Sequence, residues 1–118
     1  MNDKILIINH DRDMTDVLEM IFIHQFYQVN ICESLIDIEV LYPYKPDVVI
    51  IGLLHEDLTL AEVYQQIRDD ESTRFVPVIH LSHQVDKEHS DDDNFSVVDP
   101  LNFYLLSNQV KDMIRKSA

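Results

Sequence analysis

Five short apolar segments alternate with helix-forming segments along the chain, and this alternation constrains the fold more than any other feature. The apolar segments are short and mostly rich in Ile and Val, which is typical of strands buried in a parallel sheet. They lie at Lys4–Ile8, Tyr27–Cys32, Pro46–Gly52, Val76–Ser82 and Phe95–Val98. Apolar residues at helical spacing predict helices over Met14–Phe22, Leu35–Leu41 (short), Leu58–Arg68 and Leu101–Arg115. Five β–α units in succession predict a doubly wound α/β fold with helices on both faces of the sheet.

The chain is predicted to form one domain over residues 1–118. Its 118 residues suffice for a single core, and no linker or internal repeat divides it. At the start of the first helix, Asp11-Arg12-Asp13 offers capping carboxylates, and either Asp13 or Thr15 is expected to cap the first turn.

Nine basic against 22 acidic residues give a net charge of −13, which would repel nucleic acid and anionic membranes. The acidity favours solubility, and it would also select a basic protein partner. The single cysteine, Cys32, is expected to fill the core, and one cysteine fits a reducing compartment. With no predicted signal peptide or membrane span, we expect a cytoplasmic location.

The only glycine, Gly52, ends the buried third strand. With a single glycine the chain cannot form a glycine-rich loop that cradles phosphate. The sequence also lacks a Ser-His-Asp arrangement and a zinc motif. We therefore predict no enzymatic activity and no cofactor.

The ordered motifs resemble the bacterial response-regulator receiver domains, the CheY-like family. The resemblance covers essentially the whole chain: Lys4–Ile8 resembles the first receiver strand, Pro46–Ile51 the third, and Val76–Ile79 the fourth. Val98-Asp99-Pro100-Leu101 stands where receivers have a strand–lysine–proline–aromatic signature. The resemblance implies a five-stranded parallel sheet in the order 2-1-3-4-5.

The residues that carry receiver chemistry are altered here. The resemblance implies that Gly52 stands at the phosphoacceptor aspartate, Asn9 and His10 at the metal-binding acids, and Asp99 at the lysine that pairs with the phosphoryl group. Ser82 matches the hydroxyl residue that contacts that group. We therefore expect a degenerate pseudo-receiver that is neither phosphorylated nor loaded with magnesium.

Two further departures concern the last third of the chain. The segment between Ser82 and Asp99 is about five residues shorter than in receivers, and residues 83–94 have almost no apolar face, so the fourth receiver helix should be short, irregular or absent. The bond between Asp99 and Pro100 is expected to be cis, as in receivers, and to direct Asp99 toward His10 and Ser82.

The histidines admit two hypotheses. His10, His55 and His83 follow strand ends and could meet Asp11, Glu56 and Asp99 at one rim, where they would bind a borderline metal or another ligand. Alternatively, His10 and Asp99 form a charge-swapped version of the receiver carboxylate–lysine contact.

Three functions remain open. The first is a phosphorylation-independent docking or dimerisation module in bacterial signal transduction, with Met20, Ile23, Tyr104 and Leu105 as a candidate interface for a protein partner or a second copy. The second is a working phosphorelay receiver that uses Asp57 or Asp11 as an unusual acceptor. The third is a metal- or ligand-sensing domain that uses the histidine rim.

Overall fold

The computed structural model describes residues 3–32, 45–54, 58–83 and 94–117. These form five strands, β1 (Lys4–Ile8), β2 (Gln28–Cys32), β3 (Val48–Ile51), β4 (Val78–Leu81) and β5 (Phe95–Val98), and three helices, α1 (Arg12–His24), α2 (Leu60–Asp69) and α3 (Phe103–Ser117). All strand pairs are parallel, and the sheet order is β2-β1-β3-β4-β5. The predicted fold class and strand order are confirmed. The predicted short helix at 35–41 and the eroded fourth helix at 84–93 lie outside the described residues.

The two central strands are buried on both faces because helices cover each side of the sheet. Every residue of β3 is buried, as are Ile5 to Ile8 of β1. The edge strands β2 and β5 each bury a single residue. This contrast explains the Ile and Val runs of β1 and β3, since a strand without a solvent face has no position for alternating polar residues.

Alternate residues of the strands supply two separate core layers. On one face, Ile5 and Ile7 pack with α1 and α3. On the other face, Leu6 and Ile8 pack with α2, and Cys32 is buried there as an apolar core residue, as predicted. The fully buried helix residues that close these layers are Leu18, Phe22, Val63 and Val110. Each such apolar side chain contributes about 1.5–3 kcal/mol through its removal from water.

Helix α1 begins and ends with defined caps, and the first differs from the prediction. Asp11 is the N-cap residue, and its Oδ1 accepts hydrogen bonds from the backbone N–H groups of Asp13 and Met14 at 3.1 and 3.3 Å. Asp13 therefore lies inside the first turn and does not cap it. At the other end, Phe26 N and Tyr27 N bond back to the last turn, and Phe26 adopts a left-handed φ of 69°. This is a Schellman-type end with phenylalanine where glycine is usual.

Helix α2 is tied to the sheet through Arg68. The guanidinium group donates to the Val76 carbonyl at 2.7 Å and lies 4.9 Å from the centroid of the Tyr64 ring. The helix begins at Thr59, whose hydroxyl accepts from Glu62 N at 3.1 Å. None of the helices that the structure describes is long and apolar enough to cross a membrane.

Candidate functional site

The carboxyl ends of β1, β3 and β4 meet at one edge of the sheet and enclose a cleft of about 380 Å³. Register places Ile8 beside Ile51, so the residues that follow, Asn9 and Gly52, are neighbours. Gly52 N donates to the Ile8 carbonyl at 2.8 Å. Ser82, which follows β4, lines the same cleft. Open α/β sheets place ligands at this edge.

The side chain of Asn9 is buried and fully engaged. Its exposed fraction is 1%. The amide nitrogen donates to Thr15 Oγ1 at 2.9 Å and to the Asp11 carbonyl at 3.1 Å, and Oδ1 accepts from Leu53 N at 2.9 Å. A buried amide with all these partners is held in a single orientation, because any rotation leaves buried polar groups without a hydrogen bond.

Gly52 lies directly against that amide. A Cβ atom added at residue 52 would lie 2.7 Å from Asn9 Oδ1 and 3.0 Å from Asn9 Cγ. The φ angle of Gly52 is not positive, so the backbone itself would accept any residue. Glycine is therefore required here because the Asn9 side chain fills the space in which a side chain of residue 52 would begin.

Asp11, two residues after Asn9, has a structural role as the N-cap of helix α1. Asp11 is exposed, and the oxygen that caps α1 is already a hydrogen-bond acceptor. His10 is also exposed, and its backbone N–H donates to the Leu53 carbonyl at 2.7 Å. Within the described residues, no three His, Cys, Asp or Glu side chains are grouped as metal ligands. His55 and Glu56 of the predicted histidine rim, and the alternative acceptor Asp57, lie outside the described residues.

The predicted cis bond at Pro100 is wrong. No peptide bond is cis in the described part of the chain, so the Asp99–Pro100 bond is trans. The corner after β5 is made by two hydrogen bonds of Asp99: its Oδ1 accepts from Leu101 N at 2.9 Å, and its carbonyl accepts from Asn102 N at 3.0 Å. A trans proline at the second position of such a turn has its required φ already set. Asp99 thus makes the turn through its own side chain.

The structure places His83 beside Asp99, and the charge-swapped contact between His10 and Asp99 stays a prediction. His83 Nδ1 lies 3.4 Å from Asp99 Oδ1, and the two side chains are 66% and 43% exposed. At that exposure, water screens the His83–Asp99 contact, so it adds little to stability. It places Asp99 beside His83, which lines the cleft.

The candidate interface residues lie on the outer faces of α1 and α3. Met20 and Ile23 are 59% and 53% exposed, and Tyr104 and Leu105 are 82% and 44% exposed. A hydrogen bond of 3.1 Å from Gln25 Nε2 to Ser107 Oγ joins the end of α1 to the second turn of α3. The two helices therefore touch at this point.

Sequence reasoning missed Thr15 and Leu53, the two partners that hold Asn9 in place. Thr15 was considered only as a cap, although a buried threonine within one turn of a helix start can also accept a hydrogen bond from the preceding loop. Leu53 contributes through its backbone N–H, which carries no residue-type signal. The signal that was available is the pairing of a lone glycine with an amide residue at the ends of two neighbouring strands.

Comparison with solved structures identifies the fold. The chain superposes on a sensor protein from Polaromonas with a TM-score of 0.83 and 16% identity, covering 100% of both chains. It superposes on the receiver domain of a sensor histidine kinase from Pseudomonas aeruginosa, which has magnesium in its active-site cleft, with a TM-score of 0.81 and 18% identity over 97% of this chain and 98% of that one. The chain has the fold of a receiver domain.

The chain also superposes on a two-component response regulator from Clostridium difficile, with a TM-score of 0.78 and 20% identity over 98% of both chains. No protein-family model and no curated protein matches the sequence. At these identities the likeness concerns the fold, and the function must be argued from the residues of the site.

Proposed function

We propose that this receiver fold serves as a protein-interaction module in bacterial signal transduction and acts without phosphorylation. One observation carries the proposal: Asn9 Oδ1 lies 2.7 Å from the position of a residue-52 Cβ. The place from which receivers extend their acceptor carboxylate is thus filled by a neutral, hydrogen-bonded amide. We infer from this arrangement that the domain is a pseudo-receiver and not an enzyme.

The other groups that aspartyl phosphorylation requires are also missing from the described part of this cleft. The transfer needs a carboxylate nucleophile, hard oxygen ligands for a divalent cation and a positive group for the developing charge. Gly52 has no nucleophile, Asn9 is committed to Thr15 and Leu53, and Asp99 brings a negative charge where the positive one is needed. Asp11 is the described carboxylate that could react instead, and its role as helix cap opposes that use.

The surface of α1 supports the interaction role. Met20, Ile23 and Phe26 are each more than half exposed, at 59%, 53% and 79%. Two acidic side chains on the same helix, Asp13 and Asp16, are also exposed. An apolar stripe next to carboxylates is suited to a partner with an apolar centre and basic flanks.

The net charge favours such a partner over a second copy. Two chains that each carry −13 repel one another, whereas a basic partner is attracted and steered toward the domain. We therefore propose that the domain is monomeric by itself and binds a basic protein through α1, with Tyr104 and Leu105 of α3 extending the same surface.

The test is a pull-down from a lysate of the source cells, in which two matched variants are compared with the wild type. Ile23→Asp places a charge in the proposed surface, and Phe75→Asp places the same charge at a residue that is 77% exposed and lies outside it. Proteins captured by the wild type should be retained by Phe75→Asp and lost by Ile23→Asp. The same set should bind with and without acetyl phosphate and Mg²⁺. Equal capture by both variants, or capture that requires acetyl phosphate, would contradict the proposal.

A further inference from the structure

The cleft above Gly52 has the dimensions and lining of a small-molecule site. Its volume of about 380 Å³ falls within the roughly 300–1,000 Å³ that is usual for ligand pockets. Its floor is Asn9 over Gly52. The polar atoms of Asn9 already form hydrogen bonds with Thr15, Asp11 and Leu53, so the Asn9 amide does not require a bound ion as a partner.

Most of the wall is apolar. Met14 of α1, Leu53 and Leu54 after β3, Leu81 of β4 and Pro100 before α3 all line the cleft. Leu53 is 62% exposed at its mouth. An exposed leucine beside further apolar walls gains free energy when a ring covers it, because apolar surface leaves water.

The cleft carries a carboxylate and no permanent cation among its described lining residues. Asp11 lies at one side, there is no Lys or Arg, and the two imidazoles of His80 and His83 complete the titratable groups of the lining. Asp99 lies at the rim beside His83, which also lines the cleft. Two backbone N–H groups beside these carboxylates are already in use, since Asp11 accepts from Met14 N and Asp99 accepts from Leu101 N. An anion such as phosphate would therefore be repelled by Asp11 and Asp99, whereas a cation would be attracted.

We propose that this cleft binds a small aromatic cation. The ring would lie between Leu53 and Leu54 on one side and Leu81 and Pro100 on the other, and the positive group would face Asp11. The net charge of −13 raises the local concentration of such a ligand. This inference does not depend on the protein partner, so the failure of one leaves the other standing.

The test uses three probes that share one ring system and differ in charge: tryptamine (cation), indole (neutral) and indole-3-acetate (anion). Each is titrated into the full-length ¹⁵N-labelled chain, and amide shifts are followed by NMR. Tryptamine should shift the amides of Leu53, Ser82 and His83, with a dissociation constant on the order of 1 mM or below for a ligand of this size. Indole should bind more weakly at the same amides, and indole-3-acetate should leave them unchanged.

Two variants separate the charge from the apolar wall. Asp11→Asn keeps a good helix cap, so the fold is retained, and it should weaken tryptamine about fivefold while leaving indole unchanged. Leu53→Ala should weaken both ligands, and Phe75→Ala, remote from the cleft, should weaken neither. The proposal is overturned if tryptamine causes no shifts at about 10 mM, if its shifts lie elsewhere, or if indole-3-acetate binds equally well.

Discussion

Replacing Gly52 by alanine tests the contact on which the proposed function depends. The new Cβ would lie 2.7 Å from Asn9 Oδ1 and 3.0 Å from Asn9 Cγ, closer than non-bonded atoms approach. The amide cannot simply rotate away, because Thr15 Oγ1 and Leu53 N hold its two ends. Either these hydrogen bonds break or the ends of β1 and β3 move apart.

The expected loss of stability follows from those hydrogen bonds. A buried polar group that loses its partner costs about 1–3 kcal/mol, and two such groups are at risk. Alanine also lowers the entropy of the unfolded chain, which returns about 0.4–1 kcal/mol. We expect Gly52→Ala to lower the free energy of unfolding by about 2 kcal/mol, or the Tm by about 8 °C for a chain of this length.

Urea unfolding followed by circular dichroism measures this effect in a double-mutant cycle. Asn9→Ala alone should destabilise the fold, because Thr15 and Leu53 lose their partner. Added to Gly52→Ala, it removes the clash, so the double variant should be more stable than the sum of the single effects by about 1 kcal/mol or more. Asn108→Ala, an amide removal on α3, should stay within about 0.5 kcal/mol of the wild type. Wild-type stability of Gly52→Ala, or an additive cycle, would refute the reasoning.

Three further predictions concern the rest of the fold. Phe26→Gly should raise the free energy of unfolding by about 1 kcal/mol, because Phe26 has a φ of 69° and is 79% exposed, and an unchanged urea midpoint would contradict this. Burial, and secondarily the charge of Asp3, raises the pKa of the Tyr27 phenol. Its contribution to stability is thus complete below about pH 10 and lost as the pH rises through the raised value, so Tyr27→Phe should reduce the loss of stability above about pH 10. Arg68→Met should cost about 1–3 kcal/mol by leaving backbone carbonyls unpaired, whereas the exposed Arg74→Met should cost less than about 0.5 kcal/mol.

The fold was predictable because each strand carries its own signal. The runs Ile5–Ile8 and Val48–Ile51 are apolar at every position, which is typical of strands in the middle of a covered parallel sheet. The helices between them follow from apolar spacing. The strand order, in contrast, came from the family resemblance, because alternation alone does not say which strands are neighbours.

The details of the site depended on geometry that no local pattern contains. The Asn9–Gly52 contact exists because the register of β1 and β3 brings two strand ends to the same level, and register is a property of the assembled sheet. Similarly, the turn after β5 depends on two hydrogen bonds that Asp99 accepts from Leu101 N and Asn102 N. Residue types at these positions indicated the chemistry of each side chain but not the contacts that it makes.

Intact-mass measurement after incubation with acetyl phosphate and Mg²⁺ tests the central claim most directly. A receiver domain that retains its acceptor aspartate serves as the positive control under the same conditions. With Asn9 filling the space beside Gly52, the chain should show no mass gain while the control gains one phosphoryl group. A gain of one phosphoryl group by this chain, removed by Asp11→Asn or Asp57→Asn, would contradict the account and identify the acceptor.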